Sequence, residues 1–150
     1  MTLLTEEHRS WIGRTEPAVE IEVSRRDIVK YSVATEQTQE RYLRGDEAPP
    51  MFVFNLFGPL VEVSELRSDG LPRGFAAPKF PLPRVMSGGV ELTLQRPIRA
   101  GDRLVGVRTI TDIYEKEGSS GPLIFTVRSL KVSTADGEPV LEEQQTSISR

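Results

Sequence analysis

Cysteine is missing from the 150 residues, and histidine occurs once. The first absence removes disulfides and thiolate metal sites. The second leaves a zinc ion only carboxylates, a ligand set it rarely accepts. His8 sits on a polar stretch and reads as a solvated residue rather than a ligand or a base. No metal and no cofactor is expected. A basic excess is missing too: 19 Lys+Arg stand against 22 Asp+Glu, a net charge of −3, whereas a nucleic-acid binder shows a positive footprint. Nothing approaches the roughly 18 apolar residues of a membrane span, and the start of the chain lacks the charged-then-apolar pattern of an export signal. Neither nucleic acid nor membrane is therefore an expected partner, and a cytoplasmic protein is the default. The apolar fraction, 37%, is somewhat low. The chain is one domain's worth, residues 1–150, and long enough to bury a core without staples. Part of the surface that completes this core is expected from a partner chain.

What is present is clearest from Gly88 to Tyr114, GGVELTLQRPIRAGDRLVGVRTITDIY. Val90, Leu92 and Leu94 alternate with Glu91, Thr93 and Gln95, the period of a half-buried strand. Arg96-Pro97 ends that run, because proline cannot donate to a ladder. Arg99-Ala100-Gly101-Asp102 turns the chain, with Gly101 able to take positive φ. A second strand then sets Val105, Val107, Thr109, Thr111 and Ile113 on one face. The pair reads as two strands joined by a tight turn.

The preceding chain supplies helices. Met1 to Gly13 reads as a short helical arm capped by Thr5 and anchored by Trp11 and Ile12. Ala18 to Val23 reads as a strand. Ser24 caps a helix that runs to about Gln37, with Asp27 at the capping-box position and Ile28, Tyr31 and Thr35 along one side. After a polar loop, Pro50 opens an apolar segment in which a buried helix is expected from Pro50 to about Phe57, with a kink or second short helix after Pro59. Arg67 to Pro83 is a long Pro- and Gly-rich loop with Phe75 and Phe80 as anchors, expected to lie over the domain or a partner. Strands Arg103–Lys116 and Leu123–Ser133 are joined by a flexible connection. Asp136-Gly137 is read as a hairpin turn with positive φ at both central residues. The last strand, Pro139–Ile148, has little apolar face, which suits an edge or exposed position. An antiparallel sheet wrapped around an apolar helix is an α+β solution.

Three stretches carry a resemblance. Asp27-Ile28-Val29-Lys30-Tyr31-Ser32-Val33-Ala34 opens the first helix. Ala48-Pro49-Pro50-Met51-Phe52 resembles an A-P-P-T-F entry to a central helix. Gln95-Arg96-Pro97-Ile98-Arg99-Ala100-Gly101-Asp102-Arg103-Leu104 is close to R-P-(I/L)-R-x-G-D-x-L. In this order and spacing they resemble a single hot-dog domain of the MaoC-like hydratase/dehydratase family, in particular the N-terminal-type MaoC dehydratase domain of bacterial 3-hydroxyacyl-thioester dehydratases. That resemblance implies reversible water addition at C2–C3 of an acyl thioester.

The catalytic motif departs from the family. Active members carry Y-A-x-x-S-G-D-x-N-P-x-H, whose Asp and His activate water. Laid on this chain from Tyr31, the motif puts Thr35 at its Ser, Glu36 at its Gly, Gln37 at its Asp, Gln39 at its Asn and Tyr42 at its His. An amide cannot act as a carboxylate base, and a tyrosine of ordinary pKa near 10 is a poor base at neutrality. No residue of this chain is therefore assigned a catalytic role. The resemblance implies instead a subunit like those that lack the dyad in heteromeric dehydratases of long-chain acyl elongation or steroid side-chain degradation, paired with a catalytic MaoC-like partner as a heterodimer or heterotetramer. Met51, Phe52, Phe54 and Phe57 would line or back an acyl tunnel. Arg84, Arg96 and Arg99 are candidates for the phosphates of CoA or an acyl-carrier protein. Two other readings stand beside this one: a homo-oligomer that binds an acyl thioester or other lipid without turnover, and an active hydratase or thioesterase using Glu36, Glu40 or Asp46 as base.

Overall fold

The computed structural model describes residues 2–54, 56–58, 60–68, 70, 72 and 76–150. Phe75, one of the anchors expected in the long loop, lies outside the described residues. Three short α-helices, α1 (Glu6–Arg9), α2 (Arg25–Ala34) and α3 (Glu40–Leu43), accompany five strands: β1 (Val19–Glu22), β2 (Val85–Leu94), β3 (Arg103–Gly118), β4 (Gly121–Thr134) and β5 (Pro139–Ser149). The strands form one antiparallel sheet of order β1-β3-β4-β5-β2. No helix of the described residues is long and apolar enough to cross a membrane.

Local chemistry sets the helix starts as the sequence predicts. Thr5 Oγ1 accepts the His8 N–H and His8 Nδ1 accepts the Thr5 N–H, a reciprocal cap. Ser24 Oγ accepts the Asp27 N–H at 3.0 Å and donates to Asp27 Oδ2 at 2.7 Å. The first of these arrangements corrects the reading of His8 as merely solvated. With Nδ1 accepting, Nε2 carries the proton and donates to Lys79 O at 3.1 Å, and the ring meets Phe80 edge-on with centroids 5.2 Å apart. His8 therefore pins the N-terminal arm to the long loop. Helix α2 ends at Ala34, earlier than expected, because Glu36 turns the chain at φ 53.

The expected buried helix is much shorter than predicted. Among the described residues only a 3₁₀ turn, Pro50–Val53, forms there, and a second 3₁₀ turn, Val63–Glu65, follows. Apolar composition asks for burial but does not by itself supply helical hydrogen bonds. Here burial is met by Phe52, Val53 and Phe57, which join Val23, Ile28, Leu104, Leu130, Val132 and Leu141 in the main core cluster. Phe57 sits so close to β3 that a Cβ on Gly106 would overlap its ring. A second cluster, Leu4, Ile110, Ile113 and Ile124, lies further along β3 and β4 and is covered by Leu3, Trp11, Phe80 and Leu82. The arm and the described part of the long loop thus lie over the sheet.

Three strand readings need correction. β2 and β3 are not a hairpin: β2 pairs with β5 and β3 with β1 and β4, so their connection crosses from one sheet edge towards the other. β5 is an interior strand between β4 and β2, and the edges are β1 and β2. The buried face of β3 carries Leu104, Gly106, Arg108 and Ile110 rather than Val105, Val107 and Thr109, and a bulge after Ile110 shifts the register. In the β4–β5 connection only Gly137 takes positive φ, at 90°. The link between β3 and β4, expected to be flexible, is a tight hairpin closed by the Gly118–Gly121 pair.

Candidate functional site

The loop after α2 holds Gln37 and Tyr42, the residues that the sequence lays on the motif's Asp and His. Gln37 hands its N–H to Ser32 O at 2.9 Å and its side-chain amide to Thr35 Oγ1 at 3.3 Å. Tyr42, on α3, is buried, and its hydroxyl oxygen accepts from Arg41 Nη2 at 3.1 Å while the Arg41 guanidinium lies 4.8 Å from the ring centroid. Neither side chain presents a free base. The carboxylates nearby are solvent-facing. Glu40 is an exposed partner of Arg44 at 3.7 Å. Asp46 is held below the usual carboxylate range by hydrogen bonds from Arg25 and Arg44, which outweigh its desolvation. Tyr31 packs edge-on against Phe52 at 5.6 Å, and burial pushes its pKa up.

The predicted acyl-lining residues divide into two pairs. Phe52 and Phe57 are core, 5% and 2% exposed, whereas Met51 and Phe54 stand out at 39% and 44%. The arginines divide as well. Arg96 forms a two-pronged pair with Asp102, at 2.9 and 3.2 Å, and donates to Pro97 O at 2.8 Å. Asp102 also accepts the Arg99 N–H at 2.8 Å. Burial pushes the Asp102 pKa up, but Arg96, the Arg99 N–H and the Arg99 charge outweigh it and hold the carboxyl below its ordinary range. Gly101, at φ 91, and the bond from the Val23 N–H to Asp102 O tie this turn to the end of β1. Arg96 is therefore a structural clamp. Arg99 is half exposed and reaches Glu47 at 3.5 Å, next to the bond from the Ala48 N–H to Ile98 O that holds the entry to the Pro50 turn.

Sequence reasoning missed a charged seam between the two apolar clusters. Arg108, Leu130 and Glu143 form one row across β3, β4 and β5; Ile110, Arg128 and Gln145 form the next. Arg108, Arg128 and Glu143 are 7%, 8% and 4% exposed. Arg108 Nη1 lies 3.8 Å from Glu16 and donates to Phe57 O at 3.3 Å. Arg128 donates to Ser147 Oγ at 3.2 Å, but its Nε has no hydrogen-bond partner among the described residues. Burial lowers both arginine pKa values; Glu16 pulls each back, and Arg108 lowers Arg128 further by like-charge repulsion. Burial raises the Glu143 pKa, and its Oε2 is likewise unpartnered among the described residues. The available signal was two arginines and a glutamate in strands whose neighbours alternate apolar and polar. It became readable only with the correct face of β3.

Residues 10–143 match the family model described as FAS1-like, dehydratase domain region. The chain belongs to the MaoC-like dehydratase family. It is 31% identical over 136 residues to a mesaconyl-C(4)-CoA hydratase of Chloroflexus aurantiacus, covering 90% of this chain but 48% of that protein. The chain thus spans about half the length of this curated relative. The hot-dog fold recurs in the HadBC (3R-hydroxyacyl-ACP dehydratase) complex of Mycobacterium tuberculosis, with a TM-score of 0.66, 17% identity, and 92% and 96% of the two chains covered. It recurs in the ChsH1–ChsH2 complex of the same organism, with a TM-score of 0.64, 15% identity, and 90% and 88% covered. The positive φ at Glu36 turns the chain between α2 and α3, one residue before Gln37.

Proposed function

We propose that the chain is the non-catalytic, acyl-binding subunit of a heteromeric (R)-specific enoyl-CoA hydratase or 3-hydroxyacyl-thioester dehydratase. The observation that carries this reading is the loop after α2: Gln37 and Tyr42 stand at the motif's Asp and His, and Tyr42 is buried under Arg41. Addition or elimination of water at C2–C3 needs a group that takes and returns a proton near neutral pH. The only histidine, His8, is occupied in the arm. The catalytic partner subunit would supply the Asp and His.

On this reading the present chain shapes the acyl site. Met51 and Phe54 meet the acyl chain from their exposed positions, and Phe52 and Phe57 back them from the core. The Met51 N–H is the donor assigned to the thioester carbonyl, since the Phe52 N–H is given to Pro49 O. Arg99 meets the phosphates of CoA or an acyl-carrier protein, while Arg96 acts by fixing the turn that holds Arg99. Edge strand β2 supports a partner, because it leaves Val85, Met86, Val90 and Leu94 exposed beside an unpaired ladder. The heteromeric nature of the two mycobacterial complexes and the hydratase name of the relative support the same reading. The test is turnover of crotonyl-CoA and longer enoyl-CoA esters. The chain alone is expected to be inactive, with activity appearing on co-expression with a subunit carrying Asp and His. Enzyme-like hydration by the chain alone would overturn the proposal.

A further inference from the structure

A cavity of about 300 Å³ opens over the charged seam, lined by Trp11, Glu16, Ala76, Arg108, Ile110 and Arg128 among others. Its walls combine apolar surface with two guanidinium groups that the sheet holds one row apart. Burying a guanidinium is unfavourable unless an anion and full hydrogen bonding offset it. Glu16 lies within ion-pair distance of Arg108, at 3.8 Å. Arg128 has no ion pair among the described residues, is 8% exposed, and leaves its Nε without an acceptor. Glu16 is thus shared between two guanidinium groups, and Arg128 is the one it does not reach within ion-pair distance.

From this cavity and Arg128, which lines it with no ion pair among the described residues, we infer that the seam is a binding site for a carboxylate. The acyl group it fits is one with a free carboxylate beyond the thioester: the half-thioester of a short dicarboxylic acid. The planar edge of a guanidinium matches the two oxygens of a carboxylate, a match that an ammonium cannot provide. Trp11, Ile110 and Ala76 suit the few methylene groups of such a chain. The volume is at the lower end for ligand pockets, so it admits a short acyl tail and not the nucleotide of CoA. This inference rests on the acyl-thioester reading above for the source of the carboxylate. A free dicarboxylate is the other source, and the experiment separates them.

The experiment is calorimetric titration of the full chain with succinyl-CoA, butyryl-CoA and succinate, which pairs two four-carbon acyl groups that differ in the terminal carboxylate. Succinyl-CoA is expected to bind about ten-fold or more tightly than butyryl-CoA, the scale of a charge-assisted hydrogen bond. Arg128→Met is expected to bring the two together, and Arg128→Lys to fall between. Circular dichroism checks that the variants fold, and the wild-type comparison of the two thioesters stands without them. Equal affinity for the two thioesters overturns the carboxylate site while leaving the thioester reading intact. Binding of succinate, lost in Arg128→Met, with no binding of either thioester supports the site and overturns the thioester reading. Binding of none of the three overturns both.

Discussion

The two regions of the inner sheet face solve the same burial problem in opposite ways. Under Phe57, the rows of Gly106, Val132 and Leu141 are apolar, and the glycine makes room for the ring. One and two rows on, Arg108, Arg128 and Glu143 are just as inaccessible to water but carry charge. Apolar packing is stabilising wherever it is dense. A buried charge is stabilising only relative to the same charge left without a partner. The difference marks the first region as the one whose packing holds the fold, while the second contributes less to stability than its burial suggests.

The sharpest break of this contrast is Phe57→Ala, expected to cost about 3–5 kcal/mol in denaturant unfolding because a fully buried ring is lost and a cavity remains. Gly106→Ala should destabilise the parent and be better tolerated in the Phe57→Ala background, a coupling read from a double-mutant cycle. Next comes the clamp beneath the apolar end. Asp102→Asn is expected to cost about 2 kcal/mol at neutral pH, since charge-assisted bonds to Arg96 and the Arg99 N–H are lost. The folded-state pKa of Asp102 is depressed, so its contribution is present above the ordinary carboxyl range and lost as pH falls through the depressed value. The variant should flatten that acid limb.

At the charged end the sign should reverse. Arg128→Met is expected to be neutral or stabilising by up to about 1 kcal/mol, because an apolar chain replaces a poorly compensated charge. Glu143→Gln should raise Tm near neutral pH. Burial raises the Glu143 pKa, so its favourable protonated form is fully present below the ordinary carboxyl range and is lost as pH rises through the elevated value. The two proteins should therefore converge at acid pH, and a Tm series across pH checks this. The smallest effect is at the motif turn. Glu36→Gly is expected to gain about 0.5 kcal/mol, as the relief of a left-handed backbone exceeds the added chain entropy.

Features set by a few neighbouring residues were legible in the sequence. Thr5 and Ser24 cap helices because the acceptor and the amide it serves are three residues apart. The turn at Arg99–Asp102 was legible for the same reason, whereas the pairing of Asp102 with Arg96 was not. The face of β3 was not, because Val105 and Val107 look more apolar than the alternating set that contains Gly106 and Arg108, and only the register with β4 decides which set is covered. β5 reads as an edge because its run Glu142-Glu143-Gln144-Gln145 has little apolar face, yet Glu143 and Gln145 lie on the inner face. They meet the arginine rows of a buried face. The Pro50 segment reads as a helix because it is apolar on nearly all sides, but the chain buries Phe52 from a 3₁₀ turn and Phe57 from beyond that turn's end. Of the candidate site, Gln37 and Tyr42 lie close together in the sequence and could be named from it, while the cavity beside Arg128 depends on strands distant in sequence.

The strand order also sets the sequence in which the sheet is expected to assemble. β3, β4 and β5 are neighbours along the chain and in space, joined by two hairpins, so they can zip up locally. β1 and β2 reach their places only by closing long loops, Val19 onto Gly106 and Val85 onto Ser149. Closure entropy is paid before those contacts return anything. The three-stranded meander should therefore be the folding nucleus and β2 a late arrival. For part of every folding event the charged seam and one flank of β5 then stand in water, so the buried arginines are dehydrated late, when most of the native surface is already in place.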